Sequence, residues 1–227
     1  MAYRWILFDL DDTLFDFPAP RALETTLAHY EVQLTPELLA DYQQLNQGLW
    51  QQFNAGQIDS KTLQFERFSQ LAPLAGVTPW ELNQRFFAAI LDYSAPLDGV
   101  VSTLAQLQGK VGLGIVTNGF GDIQRARLAK SGLTGCFDFL LVSEELGVNK
   151  PDPRIFAIAG EQMANCPVGD VLMVGDNPLT DVAGAAAAGM ETCWFDLHKQ
   201  GHAVAATHII TDFAELLGLP RVAALLA

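Results

Sequence analysis

Short apolar runs alternate with amphipathic stretches along most of this chain. Residues 5–10, 111–116, 139–142, 171–174 and 192–195 lack the every-second-residue alternation of a half-buried strand. Runs of this kind mark strands covered on both faces, as in a parallel sheet. Helical segments separate most of them. Residues 98–108 stop at Gly109, 123–131 stop at Gly132, and 179–188 stop at Gly189, while 152–163 open with an Asp152 cap and Pro153. Strands alternating with single helices predict right-handed crossovers and an α/β, Rossmann-like doubly wound parallel sheet. Residues 16–96 break the rhythm with several amphipathic helices and no convincing strand. Thr35-Pro36-Glu37 and Thr78-Pro79-Trp80-Glu81 are helix starts, the second matching a capping box, and Gly56 and Asp59-Ser60 punctuate the middle. The expected organisation is an α/β core of residues 1–15 and 97–227. A helical cap of residues 16–96 is inserted after the first strand, over the ligand end of the sheet.

Composition narrows the picture. Of 227 residues, 50% are hydrophobic and 17% charged, enough for a sizeable core and unlike a disordered chain. The net charge of −13 argues against polymeric nucleic acid or an anionic membrane as partner. A small phosphomonoester stays open, because a few local cations can outweigh a distant field. Cys136, Cys166 and Cys193 form no CxxC pair, and His29, His198, His202 and His208 are not at zinc spacing from them. Reduced thiols are expected. No apolar run reaches the roughly 18–20 residues of a membrane span. Asp9, Asp11 and Asp12 interrupt the N-terminal apolar stretch, so no secretory signal is expected. These features predict a soluble cytoplasmic protein, monomeric or homodimeric.

The chemistry sits where the strands end. The first run closes on Asp9-Leu10-Asp11-Asp12-Thr13, the second on Thr117-Asn118-Gly119, and the fourth on Gly175-Asp176-Asn177-Pro178-Leu179-Thr180-Asp181; Lys150-Pro151 follows the third. In an open α/β sheet, ligands bind at the carboxyl ends of the strands. Asp9, Asp11, Asp176 and Asp181 crowded on one rim would repel one another. A hard divalent cation relieves this, Mg²⁺ above all, with Mn²⁺ as a substitute. With Mg²⁺ and Lys150 in place a phosphate dianion is accommodated, and Thr117, Asn118 and the N–H groups of the next helix supply donors. Asp9 is then the nucleophile that forms an aspartyl-phosphate. Asp11 protonates the leaving oxygen and later deprotonates the attacking water. Each piece alone is weak; their order along the chain carries the reading.

This set, Asp9-x-Asp11-x-Thr13, Thr117, Lys150 and Gly175-Asp176-x4-Asp181, resembles the four motifs of the haloacid dehalogenase-like superfamily. The helical insert resembles that family's C1 cap. The resemblance implies Asp9 as nucleophile and Asp11 as acid/base. It also implies Mg²⁺ on Asp9, the Asp11 carbonyl and Asp176, phosphate on Thr117 and Lys150, and Asp181 in or near the surrounding shell. Asp11 favours the phosphatase branch, since the dehalogenases lack that second Asp. The stretches 5–9, 115–120, 143–148, 171–176 and 192–194, together with Asp41-Tyr42-Gln43 and Leu49-Trp50, are similar to the bacterial pyrimidine 5′-nucleotidases. This implies hydrolysis of nucleoside 5′-monophosphates.

Substrate choice then falls to the insert. Tyr42, Trp50, Phe53, Trp80 and Phe86 are candidates to stack on a base, although aromatics at helical spacing more often build a core. Arg21, Lys61, Arg67 and Arg85 read as solvated charges that could meet a phosphate or base. His198 and His202 are assigned no role. A phosphosugar phosphatase or phosphomutase would use the same four motifs. A receiver-type signalling domain shares the acidic pair, Thr, Lys and Mg²⁺, but it is shorter, lacks the insert, and carries its phosphorylated Asp on a later strand.

Overall fold

A computed structural model describes residues 1–201 and 203–227, so His202 lies outside the described residues. The chain divides into two compact units: Met1–Asp16 with Ala95–Ala227, and Phe17–Ser94.

The first unit is built on a parallel sheet of β1 (Trp5–Phe8), β2 (Gly112–Thr117), β3 (Phe139–Val142), β4 (Val171–Gly175), β5 (Glu191–Phe195) and β6 (His208–Ile210). The strand order is β3-β2-β1-β4-β5-β6. Strand side chains alternate between two apolar layers, which is why both parities are hydrophobic. Ile6, Phe8, Ile115, Val174 and Phe195 pack on one face with Leu104 and Leu128. These last two come from α6 (Val100–Leu107) and α7 (Gly121–Lys130). On the other face Leu7, Val116 and Met173 meet Ile155, Phe156 and Ala159, which belong to α9 (Pro153–Gln162), the helix after the short α8 (Ser143–Leu146). Asp152 caps that helix by accepting the Arg154 N–H at 2.9 Å.

Three departures from the sequence reading matter. The first strand ends at Phe8, and the chain then turns, with the Leu14 and Phe15 N–H groups both donating to the Leu10 carbonyl. The segment expected as one helix over 179–188 is a π segment, Pro178–Ala183, followed by α10 (Gly184–Ala187). Asn177 causes the wide turn: its side chain accepts from Leu179 and Thr180, and its carbonyl from Asp181 and Val182. Finally, β6 and a closing helix α11 (Pro220–Leu226) extend the unit beyond the fifth predicted strand. β6 spans only three residues, too few to establish a period.

The second unit contains α1 (Ala19–Ala28), α2 (Pro36–Asn54), α3 (Ser60–Glu66), α4 (Ala72–Ala75) and α5 (Pro79–Tyr93). Thr35 caps α2, and Thr78 with Glu81 forms the expected capping box on α5. Leu23, Leu27, Leu63, Leu82 and Ile90 are fully buried. No helix among the described residues is long and apolar enough to cross a membrane.

Candidate active site

β1 lies between β2 and β4, with Phe8 opposite both Ile115 and Val174. Asp9, Thr117 and Asp176 therefore leave the sheet at nearly one level, at the point where strand order reverses. Lys150 joins them. Its Nζ donates to Asp9 Oδ1 at 2.5 Å and pairs with Asp181 Oδ1 at 2.8 Å, while its side chain is 1% exposed. Asn118 sets its backbone, accepting the Lys150 N–H at 2.8 Å and donating to the Lys150 carbonyl at 2.9 Å.

Asp181 reaches the cluster because of the π turn. Its carboxylate folds back to accept the Asn177 N–H at 3.0 Å and fills the space beside residue 175. A Cβ on Gly175 would fall within about 2.5 Å of Asp181 carboxyl carbon, so only glycine fits there. Asp176 is placed by Thr13, whose buried hydroxyl accepts the Asp176 N–H at 3.0 Å and donates to its carboxylate at 3.3 Å. From β5, the Trp194 indole N–H donates to the Asp176 carbonyl at 2.8 Å.

The electrostatics follow from three carboxylates around one ammonium. Asp9, Asp176 and Asp181 each offer an oxygen within 4.8 Å of the others. Burial raises the Asp9 carboxyl to about 7 against the pull of Lys150, and Asp181 and Asp11 push the same way. Burial followed by Asp9 and Asp181 raises Asp176 to about 9. Lys150 is held above its ordinary value: burial alone would lower it, but Asp181 and Asp9 outweigh burial. Excess buried negative charge on hard oxygen donors fits a divalent cation such as Mg²⁺.

Of the residues singled out in the sequence, Asp9, Lys150, Asp176 and Asp181 come together, Asp181 inside the oxygen cluster. Thr117, buried at the end of β2, accepts the Gly119 N–H at 3.1 Å. The Asn118 side chain, expected at the phosphate, is engaged by the Lys150 backbone. Asp11 stands outside the oxygen cluster. Its Oδ1 is ion-paired with Arg127, and its Oδ2 accepts from Gln124 Nε2 at 2.8 Å. Gln124 and Arg127 escaped the sequence reading, although their three-residue spacing puts them on one face of α7 behind the Thr117-Asn118-Gly119 turn.

Within the helical unit, Tyr42, Phe53 and Phe86 are buried, whereas Trp80 is exposed. Arg67, expected as a solvated charge, is instead 2% exposed. Its Nε donates to Asn83 at 3.0 Å, and the guanidinium lies about 5 Å from the rings of Phe68, Phe86 and Phe87. Arg21 sits over the Tyr93 ring, and Arg85 bonds His29 at 3.0 Å.

A carboxylate-rich rim at the switch point of a doubly wound sheet, with a helical unit inserted after the first strand, defines the class. The chain matches the haloacid dehalogenase-like hydrolase family over residues 3–189 and belongs to it. It is an enzyme, a phosphoric monoester hydrolase. The chain is 40% identical over 218 residues to the pyrimidine 5′-nucleotidase YjjG of Escherichia coli (strain K12), covering 95% of this chain and 97% of that protein. It is 32% identical over 224 residues to the pyrimidine 5′-nucleotidase PynA of Streptococcus pneumoniae (strain ATCC BAA-255 / R6), covering 96% and 94%. Among solved structures it is similar to the HAD-hydrolase YfnB of Bacillus subtilis, with a TM-score of 0.87 and 31% identity over 96% of this chain and 99% of that one. That structure is described as bound to magnesium and as revealing interdomain movement.

Proposed function

We propose that this phosphatase hydrolyses nucleoside 5′-monophosphates, pyrimidines ahead of purines, through an aspartyl-phosphate on Asp9. The observation that carries the reading is the buried Asp9 carboxylate, held 2.5 Å from Lys150 among two further carboxylates at the switch point. Asp9 attacks phosphorus and the ester P–O bond breaks. Asp11 gives its proton to the departing alkoxide. In the second half, Asp11 takes a proton from water; that oxygen attacks phosphorus, the Asp9–P bond breaks and phosphate leaves. Lys150 offsets charge on the transferring group, and the Thr117 hydroxyl, with its lone pair already turned to Gly119, offers its O–H to a phosphate oxygen.

Asp9, Asp176 and the Asp11 carbonyl would hold Mg²⁺, with Asp181 beside them and Mn²⁺ as a substitute. Bound there, the metal supplies Lewis-acid stabilisation of phosphoryl charge and keeps the raised Asp9 carboxyl ionised. Phe17–Ser94 is read as the cap of this family, the unit left to set substrate size. A pocket shaped for one ring disfavours a purine sterically. A cytoplasmic location accords with the free thiols of Cys136, Cys166 and Cys193. The two named nucleotidase relatives support the substrate class.

The test is kcat/KM for dUMP, dTMP, UMP, GMP, glucose 6-phosphate and β-glucose 1-phosphate with Mg²⁺, measured side by side. The expected result is a pyrimidine nucleotide at the head. A hexose phosphate ahead of every nucleotide by more than about tenfold (1.4 kcal/mol) moves the protein to the sugar-phosphatase reading.

A further inference from the structure

We propose that Arg127, assisted by Gln124, is the positioning residue of the acid/base step: it fixes the Asp11 carboxylate and ties it to the first connection into the helical unit. This rests on the reading of Asp11 as acid/base. The Arg127 side chain is fully buried, and its Nη1 meets both Asp11 Oδ1 and, at 2.8 Å, Gln124 Oε1. Its Nη2 donates to the backbone carbonyl of Asp16 at 3.1 Å, and its guanidinium lies 4.9 Å from the centre of the Phe15 ring. Asp16 is the last residue before the chain leaves the sheet unit, and its N–H donates to the Ala95 carbonyl, where the chain returns. One planar cation therefore grips both ends of the turn that carries the acid/base carboxylate. A flexible ammonium lacks the fixed fork to serve these acceptors at once.

Gln124 completes the arrangement from the phosphate side. Its Nε2 donates to Asp11 Oδ2 at 2.8 Å and reaches Thr117 Oγ1 at 3.4 Å. Its amide also lies where a Cβ at residue 119 would fall, so glycine there lets Gln124 reach Asp11 without displacement. The Asp11 side chain stays 30% exposed although each of its oxygens is held, one by Arg127 and one by Gln124. Proton transfer in the transition state needs a donor held within hydrogen-bond reach of the leaving oxygen. The clamp sets that position.

The test compares an alkyl ester, dUMP or whichever ester the panel above selects, with p-nitrophenyl phosphate, whose phenolate departs without a proton. The quantity is kcat/KM, which ends at departure of the alcohol and so excludes hydrolysis of the phosphoenzyme. Arg127→Met should lower the alkyl-ester value by about 10- to 100-fold more than the aryl-ester value. Arg127→Lys should recover part of the loss, and Gln124→Met should show the same selective loss at smaller size. Gln124→Met carries the test if circular dichroism finds Arg127→Met unfolded. Equal losses on both esters, or no loss on the alkyl ester, overturn the proposal. Asp11→Asn separates the two readings. If it spares the alkyl ester, the acid/base assignment itself fails; if it is selective while the Arg127 and Gln124 variants are not, only the positioning role fails.

Discussion

Lys150 in the sheet unit and Arg67 in the helical unit are both buried cations, and their surroundings move them in opposite directions. Lys150 is held above its ordinary value because Asp181 and Asp9 outweigh the effect of burial. Arg67 is pulled down by burial, which outweighs the opposing effect of Tyr42. The partners explain the contrast. Lys150 pairs with two carboxylates, and a third lies beside them, so negative charge around it is in excess and ready to be completed by ligands. Arg67 is bonded to the Asn83 amide, which in turn donates to Gln64 at 3.1 Å, and it is surrounded by rings. Neutral amides and aromatic faces satisfy a guanidinium without calling for anything from outside. Buried charge marks chemistry where it is unbalanced and architecture where it is closed.

The largest effect that would break this contrast is on turnover. Asp9→Asn keeps the shape and removes the attacking carboxylate, so kcat should fall by several powers of ten, each about 1.4 kcal/mol of barrier. Lys150→Met should also cripple turnover. Phosphate-release assays on purified, folded variants check both. Near wild-type rates in Asp9→Asn would remove the covalent mechanism.

Next comes the response to pH and metal. The carboxyls of Asp9 and Asp176 titrate in the folded chain near 7 and 9, against 3.8 as the ordinary value. The folded state therefore binds these two protons more tightly than the unfolded state. The stability they contribute is complete below about pH 4 and is lost as pH rises through 7 and then 9. In chelator, Tm should fall between about pH 5 and 9, and Mg²⁺ should restore it by giving the ionised pair a partner. A flat Tm profile in chelator, or one indifferent to Mg²⁺, would mean that the carboxylate cluster is not strained as described.

Arg67→Met sharpens the contrast from the other side. It leaves the Asn83 carbonyl oxygen without its buried partner, a loss of about 1–3 kcal/mol. Tm should drop, while the pH slope in chelator stays that of the wild type, because the Asn83 and Gln64 amides joined to Arg67 carry no titrating proton. A changed slope would couple Arg67 to the carboxylates and dissolve the distinction.

How much of this was legible beforehand depends on which interactions make it. Asp9, Thr117 and Asp176 could be read because each directly follows an apolar run, and the parallel sheet alone brings strand ends together. Lys150 could be read by its place after the third run. Asp181 was legible as a motif residue, but its entry into the oxygen cluster depends on the Asn177-centred π turn, which a helix-period pattern hides. Gln124 and Arg127 look like solvent-facing polar positions of α7. Only the fold turns that face toward Asp11 and leaves Arg127 buried. Arg67 reads as a surface charge for a related reason: Phe68, just past α3, and Phe86 and Phe87 of α5 close over it, and no local pattern encodes that enclosure.

The smallest expected effect tests whether the helical unit's stability is separable from catalysis. Thr78 Oγ1 accepts the Glu81 N–H at 3.2 Å, and Glu81 Oε2 accepts the Thr78 N–H at 2.9 Å, closing the first turn of α5. Thr78→Ala removes the side-chain cap and should cost about 1 kcal/mol. For a chain of this size that lowers Tm by roughly 2–4 °C. The box is exposed and lies on the unit that holds Arg67, not on the sheet rim, so kcat/KM should stay within about twofold of wild type at a temperature well below Tm. If the substitution instead raised KM for a nucleotide several-fold while leaving p-nitrophenyl phosphate unaffected, the start of α5 would belong to substrate recognition. The helical unit would then no longer be the closed, purely architectural partner in the contrast.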